Sequence, residues 1–395
     1  MLRTLPPVTL QLRVDLDLER GVTHASCFQP GFVCSARSAL ILSSLIALTG
    51  CGFGQPLAGS CRPQAPTKLG LGVAHVAGTY AVRHDQTESF LLSGALRAKE
   101  LGSRTLKLFL TPEYKTKYPQ PWPDGISSLA QLADSAAFRE VFEQPFDTFV
   151  LTTYSFSMGT GDPWRDRQVT GLIDAEGREL DELVTLLSTR YAGTGKTFVL
   201  QTWEGDWALF GKADPSTVVP ADRADRMAAW LSARHTAIAT AREREARAGV
   251  TIANAVEVNR VLDHESGLRV TTDVLPNTCA DVISYSAWEA LDVQVEVLET
   301  KLTRALELIR AHAPAGSALM LGELGFAENE VTPTAALVER TLSVAAKNDV
   351  RGAVYWQIFD NECTAANGCR GFWVLRPDGS LSAAGQTLAA HWGAQ

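Results

Sequence analysis

A chain of 395 residues with 46% hydrophobic and 20% charged residues, 31 glycines and 18 prolines has ordinary globular composition, which excludes a protein disordered over most of its length. The net charge of −8 comes with no basic stripe and no interleaving of aromatic with basic residues, so nucleic acid is not an expected partner. The most basic run, AREREARA at 241–248, alternates Arg with Glu and reads as a solvated helix face.

In chain order, Arg37 opens an apolar segment over Ala39–Leu48 that is too short to cross a hydrocarbon layer of about 30 Å as a helix. It runs into Leu48-Thr49-Gly50-Cys51. This resembles a bacterial lipoprotein signal, which implies export, lipidation of Cys51 and residence at the cell envelope, with the membrane contacted through the lipid alone. Residues 1–36 lack the short basic start of a signal peptide, so a start codon placed too far upstream is expected. Residues 52–68, rich in Gly, Pro and Ser, read as a flexible tether ahead of a domain over 69–395. For an exported chain, Cys363 and Cys369 can close a small loop, leaving Cys61 and Cys279 as the other bridge; sequence fixes neither connectivity. No CxxC pair and no Cys/His spacing suits zinc, and no metal or cofactor is expected.

From Leu69 onward apolar runs alternate with amphipathic stretches. Strands are predicted at 69–76, 104–110, 147–154, 197–203, 250–258, 281–288, 317–324 and 351–359. Helices are predicted near 88–102, 128–142, 178–191, 221–249, 293–312, 334–349 and 382–392, with a short helical segment after the fifth strand. Eight apolar strands, each followed by helix, define a (β/α)8 barrel whose strands are covered on both faces. An open doubly wound sheet is the alternative, but the turn VAHVAGTYAV after the first strand has no GxGxxG. GTGKT at 193–197 is not a phosphate loop: Arg190 stands where its first glycine belongs, and the order of strand and helix is reversed.

The site of such a barrel lies at the carboxyl ends of its strands. Those ends carry His75, Lys107, Thr153, Tyr154, Glu204, Asp206, Glu257, Asn259, Tyr285, Trp288, Glu323, Trp356, Gln357 and Asp360. Carboxylates and tryptophans dominate, without a Ser or Cys nucleophile or a His cluster. Glycosidic hydrolysis needs such a set: paired carboxyl groups, and flat aromatic faces for sugar rings. Glu204 in QTWEGDW and Glu323 in LMLGELGF each follow an apolar strand.

In that order and placement the chain resembles the clan of (β/α)8 retaining glycoside hydrolases with an acid/base glutamate after strand four and a nucleophile after strand seven. The tail GFWVLRPDGSLSAAGQTLAAHW at 371–392 is similar to theirs as well. The resemblance implies Glu204 as acid/base, Glu323 as nucleophile, Tyr285 hydrogen-bonded to that nucleophile, and Trp356 as the floor beneath the reacting sugar. Lys107 falls where the clan commonly has Arg, and Trp203 where it usually has an Asn for the sugar 2-hydroxyl; Asn259 or Gln357 would then supply that contact. Trp203, Asp206, Lys107, His75, Trp288 and Gln357 complete the expected substrate-binding set, with an oligo- or polysaccharide as substrate and a monomer as the working form. Glu257 is a reserve carboxylate, read as structural. The competing reading is a sugar-binding lipoprotein on a barrel that has lost turnover.

Overall fold

The computed structural model describes residues 61–67, 69–214, 216–263 and 267–394, so Cys51 and the expected lipid signal lie outside the described residues. Eight strands close on themselves in chain order: β1 Gly70–Ala74, β2 Thr105–Leu110, β3 Thr148–Thr153, β4 Lys196–Gln201, β5 Val250–Val258, β6 Val282–Ser286, β7 Ala318–Leu324 and β8 Val350–Tyr355. Every neighbouring pair is parallel, including β1 with β8. This is a (β/α)8 barrel.

Successive side chains of a strand point to opposite faces, and that period of two sorts each strand into a lumen set and an outer set. In β5, Ala253 and Ala255 pack inside while Ile252, Val256 and Val258 join the layer beneath the helices. Small residues line the lower lumen because eight strands leave little room there. The outer layer takes Leu, Val, Ile and Phe from strands and helices together, and it is the larger core.

The main covering helices are α1 Phe90–Glu100, α5 Thr170–Arg190, α7 Ala221–Arg244, α8 Val295–His312, α9 Thr334–Lys347 and α10 Ala383–Gly393; α2 Tyr114–Lys117, α3 Leu129–Ala133, α4 Ala136–Phe142 and α6 Gly205–Phe210 are shorter. Ser89 and Ser382 cap α1 and α10 through their hydroxyls, as N-cap serines do. The helix predicted over 128–142 is two helices, because the Ser135 hydroxyl accepts from Phe138 N and starts a new one. Helix α5 begins at Thr170, ahead of the helix predicted near 178–191.

The last residues of the expected tether are not loose. A disulfide joins Cys61 to Cys279 ahead of β6, Gln64 N donates to Asp281 Oδ1 at 2.6 Å, and Arg351 donates to Pro66 O at 3.0 Å. Residues 61–67 are therefore bound to the end of the barrel opposite the carboxyl ends of the strands. A second disulfide joins Cys363 to Cys369 in the loop after β8.

Candidate active site

Glu323 belongs to β7, and strict alternation after Ala318 and Met320 would turn it outward. A β-bulge prevents this. Tyr285 pairs with Leu321, but the next residue of β6, Ser286, pairs with Glu323, so Gly322 is the extra residue. Against β8 the register also slips between Leu321 and Leu324. Bulges re-aim side chains beside active sites, and this one turns Glu323 into the lumen. Glu204 arrives differently: β4 ends at Gln201, and Glu204 sits at φ 31°, ψ 67°, a left-handed conformation that a non-glycine residue adopts at an energetic cost.

The two carboxylates share one hydroxyl. Ser286 Oγ lies 2.7 Å from Glu204 Oε1 and 3.2 Å from Glu323 Oε2, so these oxygens are at most about 5.9 Å apart. Glu323 also accepts from Lys107 Nζ at 2.8 Å and from Trp288 Nε1 at 3.1 Å. Lys107 is fully buried in the lumen and donates as well to Glu257 Oε1 at 3.3 Å and Gly322 O at 3.2 Å. Burial alone would lower the pKa of Lys107, but the flanking Glu257 and Glu323 outweigh it, and the net shift is upward.

One ammonium among three carboxyl groups leaves an excess of negative charge. Glu204 answers it: burial first, then the charges of Glu323 and Glu257, raise its pKa well above the usual carboxylic range. The Ser286 hydroxyl has a single hydrogen to donate. With Glu204 protonated, the chain Glu204 O–H to Ser286 O–H to Glu323 carboxylate satisfies all three groups.

Above the pair opens a cleft of about 600 Å³ lined by Trp203, Trp207, Trp288, Trp356, Glu204 and Glu323, among others. Trp203 is 39% exposed, whereas Glu204 and Glu323 are only 6% and 3% exposed. A large aromatic face open to a cleft suits a sugar ring. Trp356 is held by Nε1 on Asn361 Oδ1 at 3.3 Å and meets Phe109 edge to face.

Several strand-end residues do not reach the cleft, and alternation explains most of them. Tyr285 shares the outer face with Ile283, so its hydroxyl donates to Glu289 at 3.2 Å and not to Glu323; Trp288 supplies the donor the tyrosine was expected to give. His75, one residue beyond Ala74, turns into the helical layer, where its Nε2 pairs with Phe90 O at 2.9 Å. Burial lowers its pKa from 6.5 to about 4. Asp206, in the first turn of α6, accepts from the backbone N of Asn259, Arg260 and Val270 and fastens the exit of β5. Asn259 Oδ1 accepts from Asp206 N and Gln357 Oε1 from Val76 N, and neither residue lines the cleft. Lys107, Trp203, Trp288 and Trp356 do surround the pair. Sequence reasoning missed Ser286, although its signal was present: Val282, Ser284 and Ser286 share the lumen parity of β6.

No protein-family model matches the chain, and no curated protein matches it in sequence. Solved structures do. A GH5_18 protein from Bifidobacterium longum subsp. infantis superposes with a TM-score of 0.55 at 15% identity, over 83% of this chain and 79% of that one. A family 5 xyloglucanase from Paenibacillus pabuli gives 0.52 at 12% identity, over 83% and 99%. A xyloglucan-specific endo-β-1,4-glucanase from a metagenomic library, in complex with cellotriose, gives 0.51 at 10% identity, over 81% and 96%. The class this defines is one of fold: a (β/α)8 barrel like those of family 5 glycoside hydrolases.

Proposed function

We propose that the chain is a retaining glycoside hydrolase of β-linked glycans, with Glu323 as nucleophile and Glu204 as acid/base. The Ser286 bridge carries this reading. Two carboxyl groups that meet one hydroxyl, with the bridged oxygens at most about 5.9 Å apart, support the close spacing of roughly 5–5.5 Å that retaining enzymes use. Glu323, facing three donors, attacks the anomeric carbon while Glu204 gives its proton to the departing oxygen; the glycosidic bond breaks and an ester to Glu323 forms. That ester removes one of the charges that raised the pKa of Glu204. Glu204, now ionised, takes a proton from water, the water oxygen attacks the same carbon, and the ester bond breaks. The cellotriose complex of a structural neighbour supports an oligosaccharide as the occupant of the cleft. The test is proton NMR of the first product from a panel of β-glucan, mannan and xyloglucan: a β-anomer formed first supports the reading, and an α-anomer ends it.

A second reading is favoured by Trp203, since neither Asn259 nor Gln357 lines the cleft to take the place of the missing Asn. In this reading the barrel binds sugar without cutting it, and stoichiometric oligosaccharide binding with no reducing-end release would establish it. We also propose export and lipid anchoring through Cys51. Two disulfides among the described residues suit an oxidising compartment. Incorporation of labelled palmitate that Cys51→Ser abolishes is the expected result.

A further inference from the structure

Glu257 sits one residue before the end of β5, with its side chain in the lumen and fully buried. Four groups donate to it. Lys107 Nζ, Gln201 Nε2 and Ser284 Oγ meet Oε1 at 3.3, 3.0 and 3.0 Å, and the backbone N of Glu204 meets Oε2 at 2.9 Å. Three donors crowd Oε1 and one meets Oε2; burial pushes the pKa of Glu257 up, while the Lys107 charge and these hydrogen bonds favour the carboxylate.

Two glycines show how closely this residue fits against both glutamates of the pair. A Cβ on Gly322, next to Glu323, would lie 2.4 Å from Glu257 Oε1 and 1.9 Å from Ser284 Oγ. A Cβ on Gly205, next to Glu204, would lie 2.6 Å from Glu257 O. The bulge glycine is thus required by Ser284 Oγ and the Glu257 carboxylate together, and the glycine that opens α6 by the backbone carbonyl of Glu257. The left-handed conformation of Glu204 is held by the same residue, because the N–H of Glu204 ends on Glu257 Oε2.

We propose that Glu257 is a positioning residue for both carboxyl groups: Oε2 holds the strained backbone that aims Glu204, and Oε1 fixes the Lys107 ammonium that aims Glu323. This rests on the assignment of Glu204 and Glu323 as the catalytic pair. Glu257 does not itself line the cleft, and in this proposal it moves no proton. The charged or titratable groups facing it are Lys107 from β2, Tyr154 beyond β3, Glu204 beyond β4 and Glu323 from β7. Its negative charge is one of the charges that keep the proton on Glu204.

The test is Glu257→Gln in the full chain, assayed on the glycan that wild type cleaves. The expected result is a fall in kcat of about 100-fold with KM within about 2-fold, the scale of a misplaced catalytic group. The basic limb of the kcat/KM profile should also move to lower pH, since removing the charge of Glu257 eases the deprotonation of Glu204. Wild-type kcat overturns the proposal, and so does a fall in kcat with an unmoved basic limb, which a merely structural role would give. Ser284→Ala removes one donor and no charge, and covers a glutamine variant that does not fold: several-fold lower kcat at constant KM is expected, and wild-type kcat overturns the proposal. Failure of the underlying assignment looks different: Glu204→Ala or Glu323→Ala would then turn over like wild type, and both proposals fall together.

Discussion

Glu204 and Glu323 are the same residue type, nearly equally buried, facing one hydroxyl across one cleft, yet their surroundings divide them. Glu323 meets an ammonium, an indole N–H and the Ser286 hydroxyl. Among the described residues, Glu204 has the Ser286 hydroxyl alone on its carboxyl group, beside two other carboxylates. The backbone divides them too: a strand with one bulge carries Glu323, and a left-handed residue beyond a strand carries Glu204. Burial comes first among the causes that hold a proton on Glu204, and the neighbouring charges of Glu323 and Glu257 add to it, while Ser286 and Lys107 oppose it.

The comparison breaks most visibly by deleting its members. Glu323→Ala should lose about a million-fold in kcat, the scale seen when a covalent nucleophile is removed. Glu204→Ala should lose about 10²- to 10⁴-fold on natural glycans and far less on aryl glycosides whose leaving group needs no proton, a split read from steady-state kinetics. Equal losses on both substrates would contradict the division of roles. Lys107→Met removes the cation between Glu257 and Glu323; a loss of about 3–5 kcal/mol is expected in denaturant unfolding, because buried charge is left unmatched. The basic limb of activity should move to higher pH in the same variant, since Lys107 opposes the upward shift of Glu204.

His75 is a buried group with no charged partner among the described residues to hold its proton. Its folded pKa of about 4 lies below the unfolded 6.5, so the unfolded chain takes the proton first and stability falls as pH drops from about 6.5 to 4. The full loss is on the order of 3 kcal/mol, and thermal melts of wild type against His75→Leu should differ in slope across that window. The smallest contrast is the most specific. Trp288→Phe should lower kcat by about 10- to 100-fold, as the loss of one hydrogen bond to a charged group does, while Tyr285→Phe should leave kcat nearly unchanged.

Much of the fold was legible because each strand is an apolar run and each helix an amphipathic one; β5 even has its predicted limits, 250–258. Strand-end position also brought Glu204, Glu323, Lys107, Trp288 and Trp356 to one place. What the ends alone could not give was facing. Tyr285 and His75 sit one residue off the lumen parity, and their partners follow from that single step. Applying the alternation would have exchanged Tyr285 for Ser286, yet it would also have turned Glu323 outward. The bulge at Gly322 is a register shift between strands, and a lone glycine before a glutamate does not announce it. The positive φ of Glu204 was equally hidden, since the partner of its N–H, Glu257 Oε2, lies 53 positions away.

The most direct measurement is covalent trapping. Incubation with a panel of 2-deoxy-2-fluoro-β-glycosides bearing activated leaving groups, followed by proteolysis and mass spectrometry, reads which carboxylate bonds to the anomeric carbon. The account expects one glycosyl ester, on the peptide that carries Glu323, and its loss in Glu323→Ala. An ester on Glu204 instead, or turnover of natural glycan by a chain that no member of the panel labels, would contradict it.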